Sequence, residues 1–367
     1  MDPLTLPQLG WRPFFQQQLS LEEFETLTPA RIIEQHRSML TLATEHGQQD
    51  LPLLHSMPAM VVGDWVLLDA DGHFVRLLER STCFRRKAAG EKVDWQLISA
   101  NVDTAFILTS VNEDFNLNRI ERFLALVHEA GAEPVVILSK ADLVDDITPF
   151  IEQVSALGDH PATVAVNCLD SDSLRPLADW LREGDTLAVL GSSGVGKSTL
   201  INTLLGETRQ QTGSIREDDA KGRHTTTRRS LIAMPRGGLI LDTPGMRELQ
   251  LADAREGIAA TFADIEVLAA QCRFADCQHQ QEPGCAVRRA VDAGEIDQRR
   301  LDNYLKLLRE EALNSATLSE KRAKDRATGR FYKKGACKSN CVTAHASVPC
   351  KGGYHEQHNE RQRPGTA

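Results

Sequence analysis

The stretch VLGSSGVGKSTLI at residues 189–201 constrains this chain more than any other. An apolar run enters a glycine-rich turn, passes Lys197 and Ser198, and leaves on a second apolar run. This is the G-x-x-x-x-G-K-[ST] phosphate-loop pattern. Gly191, Gly194 and Gly196 let the backbone approach phosphate closely, and loop N–H groups at a helix N-terminus point at the anion. The predicted contacts run from Gly191 through Ser192, Ser193, Gly194, Val195, Gly196 and Lys197 to Ser198 and Thr199. Lys197 reaches the β- and γ-phosphates, and Ser198 ligates Mg²⁺. Such a loop usually opens its domain, yet here residues 1–190 come first.

The grammar around the loop is strand–helix alternation from residue 98 onward. DTAFILTSV, EPVVILSKADL, ATVAVNC and TLAVLG read as strands. LNRIERFLALVHEAG, ITPFIEQVSALG and LRPLADWLREG read as helices between them. SLIAMPRGGLILDTPG gives two more strands around the turn at Arg236-Gly237-Gly238. This pattern predicts a mainly parallel sheet covered on both faces. Asp242, at a strand end in LILDTPG, is placed to hold Mg²⁺ through water, and the Gly245 N–H to sense a γ-phosphate. GRHTTTRRS lies between the two motifs. Thr225, Thr226 and Thr227 are candidates to complete the Mg²⁺ shell, and the sequence does not choose among them.

A guanine reader needs a carboxylate facing the ring N1–H and exocyclic amine, and a lysine stem along the ring. Ser139, Lys140, Ala141 and Asp142 (SKAD) offer this at a strand end. Asn167 and Cys168, after the next strand, are placed for a second base-reading loop. Many GTPases position the attacking water with a glutamine just after D-x-x-G. Met246 stands there and cannot orient water, so slow intrinsic hydrolysis and a stimulating partner are expected. His224 is a candidate catalytic, water-positioning group; a plain switch-loop histidine is the other reading.

Outside this region, residues 1–55 read as a proline-broken extension with a helix around Pro29–His46. Residues 56–97 alternate short apolar runs with turns and predict a small antiparallel β-barrel. Arg76, Arg80, Arg85, Arg86 and Lys87 make its later part basic, either a solvated face or an RNA contact. The net charge of the chain is −9, so polyanion binding needs such a local patch. CRFADCQHQQEPGC places Cys272, Cys277, His279 and Cys285 as C-x₄-C-x-H-x₅-C, a Cys₃His set for one closed, structural Zn²⁺. The charged helix that follows is expected to be mostly solvated, with Leu301, Leu305 and Leu308 facing the zinc module. No apolar run is long enough to cross a membrane, and a secretory leader is not visible. A cytoplasmic protein is therefore expected, in which clustered cysteines suggest metal before disulfide. Cys337, Cys341, Cys350, His355 and His358 in the tail leave two readings, a second zinc site or idle thiols, and their loose spacing favours idle thiols. The basic run 321–334 reads as a phosphate contact.

The order SKAD, GSSGVGKS, GRHTTT, DTPG is that of a circularly permuted GTPase. With a barrel before it and a Cys/His cluster after it, the chain resembles the ribosome small subunit-dependent GTPase A family over roughly residues 55–335. The resemblance implies an OB-fold barrel docking on ribosomal RNA (56–97), a circularly permuted P-loop GTPase domain (98–250), a mostly helical zinc-binding module (251–318) and a basic tail (319–367). It implies GTP and GDP as ligands and the small (30S) ribosomal subunit and its rRNA as partners, with no DNA, no membrane and a monomeric chain. Two positions depart from the family pattern. Ser139 replaces Asn or Thr, which should weaken the brace on the phosphate loop, and Asn167-Cys168 replaces Ser-Ala. A GTP-regulated RNA-binding protein with little turnover, and a P-loop ATP-dependent kinase or transferase, are the alternatives. Asp142 argues against adenine.

Overall fold

The computed structural model describes residues 3–87, 95–112, 114–206, 229–242, 251 and 253–315. The helices α1 (Pro13–Gln16) and α2 (Leu21–Thr26) lead into the strands β1 (Thr28–Gln35), β2 (Met39–Thr44), β3 (Gly47–Pro52), β4 (Trp65–Leu68), β5 (Phe74–Leu77), β6 (Cys83–Lys87) and β7 (Trp95–Ala100). The helix expected around Pro29–His46 is therefore two antiparallel strands. Thr28–Arg31 pair with Leu68–Trp65 of β4, and Arg31–Gln35 pair with Ala43–Leu40 of β2. Ile32 and Ile33 favour strand geometry, and burial on both sides of β1 overrides the helical signal of its flanks. Among the described residues, β6 and β7 pair with each other in a separate two-stranded antiparallel sheet.

The α/β part follows as read. β8 (Thr104–Ser110), α3 (Leu117–Ala130), β9 (Glu133–Ser139), α4 (Thr148–Ser155), β10 (Ala162–Val166), β11 (Thr186–Gly191) and α5 (Lys197–Leu205) alternate. LRPLADWLREG forms only a 3₁₀ turn, Arg175–Trp180. β12 (Arg229–Ala233) and β13 (Leu239–Asp242) complete a sheet of order β10-β9-β8-β11-β13-β12-β1-β2-β3. β8 to β11 are mutually parallel where they pair, β13 runs parallel to β11, and β12 is antiparallel. Every residue of β8 and of β11 is buried, as expected for strands covered on both faces. α3 is held at both ends. The Asn116 side chain accepts from the Arg119 N–H, and Gly131 closes the helix in the left-handed region at φ 79°.

The N-terminal segment LGWRPFF docks on the protein itself. Trp11 meets Trp65 edge-on at 4.9 Å, and Phe15 lies 5.8 Å from Trp65. Arg12 bridges Asp103 (2.6 Å) and Asp185 (2.7 Å), at the starts of β8 and β11. Two residues of the predicted basic face are structural: Arg76 pairs with Glu23, and Arg80 pairs with the buried Asp64.

The C-terminal helices are α6 (Arg255–Thr261), α7 (Ala263–Ala269), α8 (Ala286–Asp292) and α9 (Gln298–Ser315). The single charged helix expected after Cys285 is thus split at Gly294, in the left-handed region at φ 77°. Its charges are not all solvated. Arg300 is buried, with Glu121 at 2.7 Å and Asp264 at 2.8 Å, and Arg299 reaches the same Glu121 at 2.9 Å. Asn303 donates to Glu121 as well, at 2.6 Å. Glu121 is fully buried on α3, so this cluster fastens α9 to the α/β part. Leu301 is buried, and Leu305 and Leu308 pack partly buried against the main core.

Candidate functional site

Four of the stretches singled out in the sequence lie at the C-terminal ends of parallel strands. SKAD follows β9, Asn167-Cys168 follows β10, the phosphate loop follows β11, and Asp242 ends β13. In an open α/β sheet, ligands bind at that edge. A cavity of about 840 Å³ lies at the other end, lined by Arg12, Asp103 and Asp185. Asp103, Glu133, Asp179 and Asp185 line it beside Arg12, Arg31 and Arg182, and no phosphate-type loop does.

The phosphate loop has the backbone the pattern requires. Gly191, Gly194 and Gly196 sit at φ 139°, 79° and 98°, a region that side-chain-bearing residues rarely adopt. A Cβ on Gly191 would meet the Leu108 carbonyl at 2.4 Å. Lys197, the first residue of α5, is buried and donates from Nζ to the Gly191 carbonyl at 2.8 Å and to the Ser192 carbonyl. Ser193 and Gly194 are exposed, while Val195 is buried beneath them. Ser198 and Thr199 follow on the first turn of α5.

Ser139 braces this loop despite its short side chain. Its hydroxyl donates to the Val195 carbonyl at 2.6 Å, with the Thr109 carbonyl 3.2 Å away. The short side chain therefore does not cost the loop this brace. Lys140 takes a left-handed conformation at φ 58°, which turns the chain into the short 3₁₀ helix Ala141–Leu143 and leaves Asp142 exposed. Cys168 joins the three loops. Its sulfur would lie 3.6 Å from a Cβ placed on Gly196, and its carbonyl accepts from Thr203 of α5 at 2.7 Å. Burial, then the charge of Asp142, push its thiol up to about 11, with Lys140 opposing. Cys168 is accordingly a neutral packing group. The Asn167 N–H is spent on Ser173 Oγ at 2.8 Å.

Cys272, Cys277, His279 and Cys285 come together with all four ligand atoms within 4.8 Å of one another. Cys272 Sγ to Cys285 Sγ is 3.8 Å, and His279 Nδ1 lies 3.6 Å and 3.5 Å from those sulfurs. A zinc tetrahedron with Zn–S of ~2.3 Å and Zn–N of ~2.0 Å has S–S edges of ~3.8 Å and S–N edges of ~3.5 Å. The donor set is therefore compatible with zinc. Backbone N–H groups aim at the sulfurs, Ala286 at Cys272 (3.4 Å) and Arg288 at Cys285 (3.3 Å), and, against burial, those on Cys272 help hold its thiol below the usual range. Cys285 is also the N-cap of α8.

His224, Thr225, Thr226, Thr227, Gly245 and Met246 lie outside the described residues, as do Cys337, Cys341, Cys350, His355, His358 and the basic run 321–334. Two contacts escaped the sequence reading. Arg119 of α3 donates to Ser192 Oγ at 2.6 Å, and Glu121 gathers the arginines of α9. Nothing in the spacing signals either one, because the partners are far apart along the chain.

A mixed sheet whose parallel part carries the phosphate-loop motif after β11, with SKAD ahead of it in sequence, is the arrangement of a circularly permuted P-loop GTPase. A family model described as RsgA GTPase matches residues 77–252. The Small ribosomal subunit biogenesis GTPase RsgA 2 of Vibrio parahaemolyticus is 58% identical over 326 residues, spanning 89% of this chain and 91% of its own. The Small ribosomal subunit biogenesis GTPase RsgA of Mesorhizobium japonicum is 46% identical over 332 residues, spanning 89% and 95%. The crystal structure of YjeQ from Thermotoga maritima matches with a TM-score of 0.58 at 25% identity, over 77% of this chain and 98% of that one. YloQ, described as a circularly permuted GTPase, shares the fold with a TM-score of 0.56 at 24% identity, over 79% and 96%. The chain belongs to the RsgA GTPase family.

Proposed function

We propose that this protein hydrolyses GTP on the small ribosomal subunit late in that subunit's assembly, and that hydrolysis releases it. The observation that carries this reading is the sequence identity, over nearly the whole chain, to GTPases named for small-subunit biogenesis. In this reading the loop N–H groups and Lys197 hold the phosphates, and Ser198, Asp242 and Thr225 or Thr226 hold Mg²⁺. The Asp142 carboxylate accepts from guanine N1–H and the amine, with the Lys140 stem along the ring. The Cys168 N–H is the donor left for the base oxygen, since Asn167 gives its own to Ser173. Met246 leaves intrinsic turnover slow, and His224 is the group proposed to position water when the subunit is bound.

We also assign zinc to the Cys₃His cluster as a structural ion, since four protein ligands leave no open position. The β-rich N-terminal part is proposed to be an OB-like barrel that includes β1 to β3 and touches rRNA. Arg85, half-exposed over the Trp95 ring at 4.8 Å but ion-paired with Asp253 (3.1 Å) and Glu129 (3.6 Å), and Arg86 beside it on β6 are the cations offered for that contact. No described helix is long and apolar enough to cross a membrane. A cytoplasmic location and a monomeric state belong to the same proposal.

A ligand shifts only equilibria that it distinguishes. The small subunit should therefore bind the GTP-analogue form at least about tenfold more tightly than the GDP form, a coupling of ordinary size. Sedimentation of purified subunits with each form checks it, and equal affinities would remove the release step.

A further inference from the structure

One residue of the phosphate loop is held by cations from two different elements. The Ser192 carbonyl takes Lys197 Nζ from α5, while the Ser192 hydroxyl takes the Arg119 guanidinium from α3 at 2.6 Å. The same guanidinium nitrogen donates to Asp114 Oδ1 at 2.7 Å, so the arginine is aimed from both sides. Its carrier is fixed. Asn116 caps the first turn of α3 through the Arg119 N–H at 3.1 Å. Two residues further on, Glu121 is locked by Arg299 and Arg300. Arg119 itself is partly exposed, so core packing does not explain an arginine there.

We propose that Arg119 is a positioning residue for the phosphate loop, acting through the Ser192 hydroxyl. The proposal rests on GSSGVGKS being the nucleotide site. When a triphosphate draws Lys197 from the Ser192 carbonyl to its own oxygens, the loop loses one of its two holds at Ser192. Arg119 supplies the other and keeps the loop N–H groups aimed at the phosphates. A group on a rigid element can do this, because a loop misplaced by a fraction of an ångström loses much of its binding. Guanidinium geometry suits it, since donors lie in a fixed plane toward both Ser192 and Asp114.

The test is a double-mutant cycle in the full-length protein, read by binding of a fluorescent non-hydrolysable GTP analogue and by KM and kcat for GTP with small subunits. Arg119→Ala and Ser192→Ala should each weaken analogue binding about tenfold, the worth of one charge-assisted hydrogen bond. KM should rise more than kcat falls. The double variant should be no worse than the weaker single one, and Arg119→Lys should recover part of the loss. Lys197→Ala is the control for the site. If it binds the analogue as the parent does, the nucleotide-site reading fails and takes this proposal with it. If Lys197→Ala loses binding while Arg119→Ala keeps it, or if the two single effects multiply in the double variant, only the role of Arg119 is overturned.

Discussion

Lys197→Ala should lower kcat/KM for GTP about a hundredfold to a thousandfold, the usual loss when one preorganised donor to a developing anion is removed. The buried ammonium sits on the Gly191 and Ser192 carbonyls at the start of α5. Alanine is a good helix former, and the sheet beneath the loop does not depend on the lysine. Turnover should collapse while the thermal midpoint moves by only a few degrees, consistent with the net worth of about one or two hydrogen bonds. Steady-state hydrolysis in the presence of small subunits, beside a melting curve, measures both. Near-parental turnover would mean that GTP is hydrolysed elsewhere.

The second large effect concerns the metal. The parent protein should carry about one zinc per chain, as a closed four-ligand site requires, and Cys285→Ala should carry close to none. Cys285 is buried, lies 3.8 Å from Cys272, and also caps α8 through the Arg288 N–H. Its loss removes a ligand and a helix cap together. Free energy of metal binding at such sites is free energy of folding, so the segment from Cys272 to α8 should lose its order in hydrogen exchange. α9 should retain part of its protection, because Glu121, Arg300 and Asp264 hold it independently of the metal. GTP-analogue affinity should stay within a few-fold, consistent with a local unfolding unit, while stimulation by the subunit is lost. A parent protein that releases no zinc after thiol modification would contradict the assignment.

How much of this could be read beforehand followed the range of the interactions. The phosphate loop, SKAD and the Cys₃His set are short motifs whose chemistry is carried by neighbours in sequence. The strands β8 to β11 announced themselves by unbroken apolar runs. β1 and β2 did not, because Ala30 and Glu34 read as helical, while pairing with β2, β4 and β12 makes β1 a strand. The brace from Ser139 was underestimated by arguing from side-chain length alone. The hydroxyl reaches the Val195 carbonyl because β9 and β11 flank β8 and end at one edge of the sheet. Arg12 with Asp103 and Asp185, Arg119 with Ser192, and Glu121 with Arg299 and Arg300 are long-range pairs. Local patterning reports a charge as solvated unless a fold supplies its partner. That is why the α9 arginines read as surface, although Arg300 is buried and Arg299 half-buried against Glu121.

The permuted order gives these long-range contacts a shared consequence. The chain after β13 runs into the C-terminal helices, and α9 returns to α3, whose first turn touches the phosphate loop. The measurement that tests the account most directly is GTP hydrolysis by the purified protein alone, with isolated small subunits, and with isolated large subunits. The account predicts slow turnover alone, strong stimulation by the small subunit, and none by the large one. Stimulation by neither subunit, or by the large subunit instead, would contradict it.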